Sequence, residues 1–235
     1  MDYRHHTARN EIAILPSLLA SDFGNLEAGA RKAEASGADA LHLDIMDGHF
    51  VPNLSMGPDV VKMARRAIRI PLSVHLMMTN PELYLARFVE AGADVLLIHI
   101  EVSGDVPAML KEIRRLGARP GITLNPKTPA ERVFGCLGLV DEVLCMTVQP
   151  GYGGQKFMDE QLPKIREIHA QIRQDGHNVD ISVDGGIDMN TVVSAAAAGA
   201  NVFIAGTSLY GLPDMKTGTA QMRELAAGAY SLVRK

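Results

Sequence analysis

Apolar residues fall along this chain in short runs separated by longer amphipathic stretches, and the two alternate from one end to the other. A run at 12–15 stops at Pro16-Ser17, and residues 25–36 carry helix formers that stop at Gly37. Further runs at 40–46, 72–78, 95–100, 121–124, 142–148, 179–183 and 201–205 predict strands. Helices are predicted after them at 59–68, 81–91, 106–116, 129–137, 158–174, 190–198 and 218–233. Strict alternation of strand and helix implies a parallel sheet. Eight such units in 235 residues point to an α/β fold, a single (β/α)8 TIM barrel at 11–235 behind a polar N-terminal tail at 1–10. A doubly wound open sheet is the competing architecture, but no G-x-G-x-x-G follows the first strand.

A weak internal repeat agrees with this order. Ser36-Gly37-Ala38-Asp39, Ala91-Gly92-Ala93-Asp94 and Ala198-Gly199-Ala200-Asn201 each lie between a helix and the next strand, and Leu116-Gly117-Ala118 is a looser copy. Glycine there supplies a left-handed helix cap, and the residues after it turn into the sheet.

Composition narrows the function classes. A hydrophobic share of 47% and a mean hydropathy of +0.05 fit a globular chain with a sizeable core. The net charge of -4 offers no basic field to nucleic acid or to an acidic membrane surface. No apolar run reaches the length of a membrane span, and residues 1–10 lack the apolar centre of a secretion signal. His5-His6 reads as a tail feature and not as a ligand pair. Cys136 and Cys145 have no metal-binding spacing and read as unpaired core thiols suited to a reducing cytoplasm.

Polar residues at the strand ends change the picture most. Side chains alternate along a strand, so His42, Asp44 and Met46 share one face while Leu41, Leu43 and Ile45 share the other. His75 and Met77 share a face of the third strand, and Asp184 ends the seventh just before Gly185-Gly186. Active sites of such barrels form at the C-terminal ends of the strands. His42, Asp44, His75 and Asp184 therefore converge on one rim, a donor set that suits Zn²⁺, Mn²⁺, Fe²⁺ or Co²⁺. Glycine gathers at the same rim: Gly151-Tyr152-Gly153-Gly154 after strand six, Gly185-Gly186 after strand seven, and Gly206-Thr207-Ser208 after strand eight. Bare backbone N–H groups in such loops grip a phosphate, so the expected ligand is a small phosphorylated metabolite.

Longer segments carry a resemblance. Pro16-Ser17-Leu18-Leu19, the run H-L-D-I-M-D-G-H-F-V-P-N from His42 to Asn53, and His75-Leu76-Met77 resemble the ribulose-phosphate 3-epimerases. So do Leu124-Asn125-Pro126, residues 150–157 and Val183-Asp184-Gly185-Gly186, in the family's order and over nearly the whole chain after the tail. The resemblance implies a barrel of the ribulose-phosphate-binding type and a metal-dependent isomerase of the pentose phosphate pathway. The implied reaction interconverts D-ribulose 5-phosphate and D-xylulose 5-phosphate. One divalent ion per subunit would be held by His42, Asp44, His75 and Asp184, with Asp44 and Asp184 also the acid–base pair. Ser17 and His75 would touch the sugar, and Met46, Met77 and Met146 would line the reacting carbons. Residues 151–154, Gly185-Gly186 and Gly206-Thr207 would hold the phosphate. A phosphorylated ketose as ligand, a cytoplasmic setting and a homo-oligomer accompany the resemblance.

The match has departures. The usual family loop M-S-V-N-P-G-F-G-G-Q reads here Met146-Thr147-Val148-Gln149-Pro150-Gly151-Tyr152-Gly153-Gly154-Gln155, and Thr207 stands where serine is more usual. Thr147 and Gly206-Thr207-Ser208 resemble the D-allulose-6-phosphate 3-epimerases, whose sugar is one carbon longer, whereas Gly153-Gly154 and Gly185-Gly186 resemble the pentose enzymes. A catalytically silent phosphosugar-binding protein would need the phosphate loops but not both aspartates. A decarboxylase or lyase would be favoured by a lysine beside the strand-end aspartate, and none lies near Asp44. Among secondary candidates, His99-Ile100-Glu101 reads as core hydrogen bonding or a second polar shell, and Asp47 as a loop cap. Phe23, Tyr84 and Phe88 read as helix packing.

Overall fold

Strands of four to six residues cannot stand alone, so their stability has to come from the ladder they join and the helices laid over it. The computed structural model describes residues 12–233; the tail at 1–10, with His5-His6, lies outside the described residues. The strands are β1 (Ala13–Pro16), β2 (Leu41–Met46), β3 (Leu72–Met77), β4 (Val95–His99), β5 (Arg119–Leu124), β6 (Glu142–Met146), β7 (Asp180–Asp184) and β8 (Val202–Ala205). All pair in parallel, in the order β1-β8-β7-β6-β5-β4-β3-β2. A bridge between Ser17 and His42, with the Asp39 N–H donating to the Ile14 carbonyl at 3.1 Å, joins the two ends. The sheet is a single (β/α)8 barrel.

Around it lie α1 (Leu26–Ala35), α2 (Pro58–Ala67), α3 (Leu85–Ala91), α4 (Val106–Arg115), α5 (Glu131–Phe134), α6 (Leu162–Asp175), α7 (Thr191–Ala197), α8 (Thr207–Tyr210) and α9 (Met215–Tyr230). Alternation along β2 sends Leu41, Leu43 and Ile45 outward into the layer shared with the helices, where Val61 and Ala64 of α2 are also buried. The barrel interior is filled by a separate apolar cluster that includes Leu15, Leu97, Leu144, Val202 and Ile204. Gly121 in β5 makes room for it, because a Cβ there would come within 2.3 Å of the Leu97 side chain.

The repeat between helices and strands has a physical task. Gly37, Gly92 and Gly199 all have positive φ and end their helices. The residue two places on then reaches the neighbouring strand. Asp39 accepts from the Ile14 N–H at 2.7 Å, Asp94 from Leu72 at 2.8 Å, and Asn201 from Ile181 at 2.8 Å. Each copy thus satisfies a backbone donor near the start of a strand that no helix covers.

Element bounds shift from expectation by up to four residues, as where the last helix runs Met215–Tyr230 and not 218–233, and three departures have a local cause. β5 begins two residues early, at Arg119-Pro120; the Pro120 carbonyl still accepts from Asp141 at 2.8 Å, so only its missing N–H is lost to the ladder. The helix expected at 129–137 shrinks to one turn before Gly135, followed by a 3-10 turn at Leu137–Leu139. The stretch after Gly206, read as an open loop, contains the short helix α8. Phe23, expected to pack, is 52% exposed, while Phe88 is fully in the core. Both cysteines are free and buried.

Candidate active site

Parallel register sets the site. β2 pairs with β3 so that Asp44 lies beside His75 and Met46 beside Met77, and β6 pairs with β7 so that Met146 lies beside Asp184. The side chains of His42, Asp44, His75 and Asp184 each present a ligand atom within 4.8 Å of the other three. Asp44 is the hub. Its Oδ1 lies 3.3 Å from His42 Nε2 and 3.3 Å from His75 Nδ1, and its Oδ2 accepts from the Ser17 hydroxyl at 2.7 Å. His42 Nδ1 is 3.2 Å from the Ser73 hydroxyl. Asp184 is held through its backbone. Its carbonyl accepts the Thr147 N–H at 2.8 Å, and the Thr147 hydroxyl reaches the next carbonyl, Gly185, at 2.7 Å.

Electrostatics divides the two carboxyls. Burial alone would raise Asp44, but the His42 and His75 imidazoles and their contacts outweigh it and hold this group well below the usual carboxylate range. Burial, reinforced by the Asp44 charge, pushes Asp184 up to about 7. His75 falls to about 4, chiefly through burial.

The cluster fits a divalent cation. His42 Nε2 is buried and, although 3.3 Å from Asp44 Oδ1, makes no well-directed hydrogen bond there, a donor atom that a metal would satisfy. Two carboxylates this close repel one another unless a cation lies between them. Two imidazole nitrogens and two carboxylate oxygens are a donor set for borderline divalent metals.

Above the cluster opens a cavity lined from the C-terminal ends of β1, β2, β3, β6, β7 and β8. Ser17, Asp44 and Asp184 form its polar floor with Met46, Met77 and Met146 beside them. Residues 151–154 contribute one wall, with Tyr152 63% exposed, and Gly185, Gly186, Gly206 and Thr207 the other. His42 and His75 have no exposed surface and lie beneath the floor. Asn53, to which its motif assigns no role, belongs to the site: its side-chain amide donates to the Gly151 carbonyl at 2.8 Å and ties the loop after β2 to the loop after β6. Gln155 pins the same loop from inside by donating to the carbonyls of Gln149 and Tyr152. Only the fold brings Asn53 to Gly151, 98 residues away.

Residues 13–210 match the Ribulose-phosphate 3 epimerase family. The chain belongs to the ribulose-phosphate 3-epimerase family. Individual members agree along almost their full length. The ribulose-phosphate 3-epimerase of Bacillus subtilis is 40% identical over 213 residues, covering 90% of this chain and 98% of that protein. The cytoplasmic isoform from Oryza sativa is 44% identical over 220 residues, covering 92% of this chain and 95% of that one. Among solved structures, 3-keto-L-gulonate-6-phosphate decarboxylase from Vibrio cholerae superposes with a TM-score of 0.71 at 18% identity, over 93% of this chain and 98% of that one. That likeness concerns the barrel alone.

Asp47 caps its own loop in this family member, accepting from the backbone N–H groups of His49, Phe50 and Thr79 at 2.8 Å each. His99 and Glu101 make the buried polar contacts expected of them: His99 Nε2 touches His75 Nε2 at 2.8 Å, and its Nδ1 touches Glu101 at 3.0 Å. Among the described residues no helix is long and apolar enough to cross a membrane.

Proposed function

We propose that this chain interconverts D-ribulose 5-phosphate and D-xylulose 5-phosphate by proton transfer at C3. The observation that carries the reading is the meeting of Asp44 from β2 and Asp184 from β7, with His42 and His75, at the floor of a cavity walled by glycine loops. Inverting a carbon next to a ketone requires a proton to leave one face and another to arrive on the opposite face. Two carboxylates approaching from separate strands can alternate as base and acid in those steps. His42, Asp44, His75 and Asp184 would hold one divalent ion per subunit, Zn, Fe, Mn or Co, which when bound supplies Lewis-acid stabilisation of charge developing on the sugar oxygens.

The remaining residues position and protect. Ser17 donates to Asp44 Oδ2 and faces the cavity, so it orients the carboxylate and can also touch the sugar. The buried Met46, Met77 and Met146 keep solvent protons away from the reacting carbon. Backbone N–H groups of Gly185, Gly186, Gly206 and Thr207 would take the phosphate, with residues 151–154 covering it.

A five-carbon sugar is favoured. Thr147, one of the hexose-like marks, spends its hydroxyl on the Gly185 carbonyl, and Ser208 donates to the Ile187 carbonyl at 2.6 Å. Neither side chain lines the cavity; Thr207, the remaining mark, does, beside Gly206 on the wall assigned to the phosphate. We extend the reading to a cytoplasmic homo-oligomer: the two free buried thiols suit a reducing compartment, and Leu54 and Leu83 are 74% and 67% exposed. Light scattering on the purified protein would read the assembly.

The decisive experiment follows D-ribulose 5-phosphate and D-allulose 6-phosphate by NMR in D₂O with metal supplied. Deuterium is expected at C3 of the product, faster with the pentose. Asp44→Asn and Asp184→Asn should each lower turnover by roughly 10²–10⁴-fold without loss of fold by circular dichroism. No exchange with either sugar would leave the silent phosphosugar-binding protein as the better reading.

A further inference from the structure

Behind His75, on the side away from the cavity, runs a chain of polar contacts that the acid–base chemistry does not use. His75 Nε2 lies 2.8 Å from His99 Nε2, and His99 Nδ1 lies 3.0 Å from Glu101 Oε2. The other carboxylate oxygen, Oε1, accepts the Asn125 backbone N–H at 2.8 Å and the Thr128 hydroxyl. The loop bearing both donors is itself anchored, because Lys164 donates to the carbonyls of Asn125 and Pro126 at 3.0 and 2.7 Å. Phe50 covers His99, ring centroids 4.5 Å apart, and both imidazoles are fully buried.

Such a chain has a direction. Each neutral imidazole carries one proton, on one nitrogen only. Two ring nitrogens in hydrogen-bond contact must therefore be one donor and one acceptor. Glu101 decides which. It faces donors at Oε1, so it accepts from His99 at Oε2 as well, and the His99 proton lies on Nδ1. His99 Nε2 is then a lone pair, which obliges His75 to carry its proton on Nε2. That turns the Nδ1 lone pair of His75 toward Asp44 Oδ1 at 3.3 Å, two acceptors that a cation between them reconciles, at the point where the four ligand atoms converge. The 2.8 Å contact between the two Nε2 atoms holds one proton, and a histidine that ligates a metal is neutral. The contacts of Glu101 outweigh its own burial and keep it ionised.

We propose that Glu101, acting through His99, fixes the tautomer of His75 and so presents the His75 Nδ1 lone pair to the metal. Glu101 and His99 are positioning residues, and the proposal rests on the metal-site part of the proposed function. Partners of this kind that orient a ligating histidine are typically worth about 10–100-fold in metal affinity.

Glu101→Gln tests the direction of the chain at nearly constant shape. The Asn125 N–H can only donate, so the glutamine carbonyl must face it and the NH₂ must face His99. His99 Nδ1 then becomes an acceptor, its proton moves to Nε2, and His75 is left with its proton on Nδ1, where the metal should bind. Two readouts follow. In ¹⁵N–¹H spectra of the metal-free wild type, His75 is expected as the Nε2–H tautomer and His99 as Nδ1–H, and both should reverse in Glu101→Gln. Competition with a chromophoric chelator should show the Zn²⁺ dissociation constant of the variant raised about 10–100-fold. A wild-type His75 protonated on Nδ1, or a variant with unchanged tautomers and unchanged zinc affinity, would overturn the proposal. Should the variant not fold, the wild-type spectrum decides alone. Wild-type protein showing the expected tautomers but no zinc binding would sink the metal-site reading and leave the proton order standing.

Discussion

Glu142 opens β6 on the interior face of the barrel, fully buried, and both of its carboxylate oxygens lack a hydrogen-bond partner. Burial is the main reason its pKa lies above the ordinary value. A carboxyl whose folded pKa is raised binds protons more tightly folded than unfolded. Its contribution to stability is then complete below the unfolded pKa and is lost as pH rises through the folded one. Glu142→Leu removes this dependence. Urea unfolding should find the variant more stable than wild type by roughly 1–3 kcal/mol at pH 8, the cost of an unsatisfied buried polar group, and by less at pH 5. An equal difference at both pH values would refute the assignment. Thr147 teaches another lesson at this scale. Its identity in the sequence resembles a hexose-specific relative, yet its hydroxyl turns to the Gly185 backbone, and residue type alone says nothing about where a side chain points.

Among the elements, the loops after β6 and β7 depend on one another. Gly186 has φ +66°, and a Cβ there would lie 2.3 Å from the Phe157 nitrogen, a backbone atom that cannot move cheaply. Gly186→Ala therefore carries the left-handed penalty of about 1–2 kcal/mol per residue and would displace Phe157 and the loop before it from the proposed phosphate site. KM for the phosphosugar should rise by about tenfold or more while zinc affinity is unchanged, since no metal-site side chain moves. Steady-state kinetics and chelator competition together would check this, and loss of both at once would contradict it. The strand–helix alternation of these elements was legible because hydrophobic periodicity is local. The bounds of β5 and α5 were not legible, because Pro120 and Gly135 send local signals that the barrel overrides in one case and obeys in the other.

For the whole molecule, the proposed metal joins the neighbouring strands β2 and β3 to β7, which reaches them only when the barrel is closed. An ion bound only by the folded state stabilises it by about 2.7 kcal/mol at a hundredfold excess over its dissociation constant. Chelation is thus expected to lower Tm by roughly 5–10 °C, given about 2–4 °C per kcal/mol for domains of 150–250 residues, and added zinc should restore it. An unchanged Tm in calorimetry would count against a metal bridging these strands.

The sequence by itself determined the order of strands and helices, the barrel class and the identity of the residues at the strand ends. Each of these follows from periods and motifs spanning a few neighbours, and the alternation within β2 alone placed His42, Asp44 and Met46 on one face. Only the tertiary structure decided what depends on distance between strands. The closure at Ser17 and His42, the clasp of Asn53 on Gly151, and the relay from Glu101 through His99 to His75 all join residues from separate units of the barrel. Their hydrogen bonds turn on a few tenths of an ångström and on side-chain direction, which the register of the closed sheet sets and no local pattern encodes.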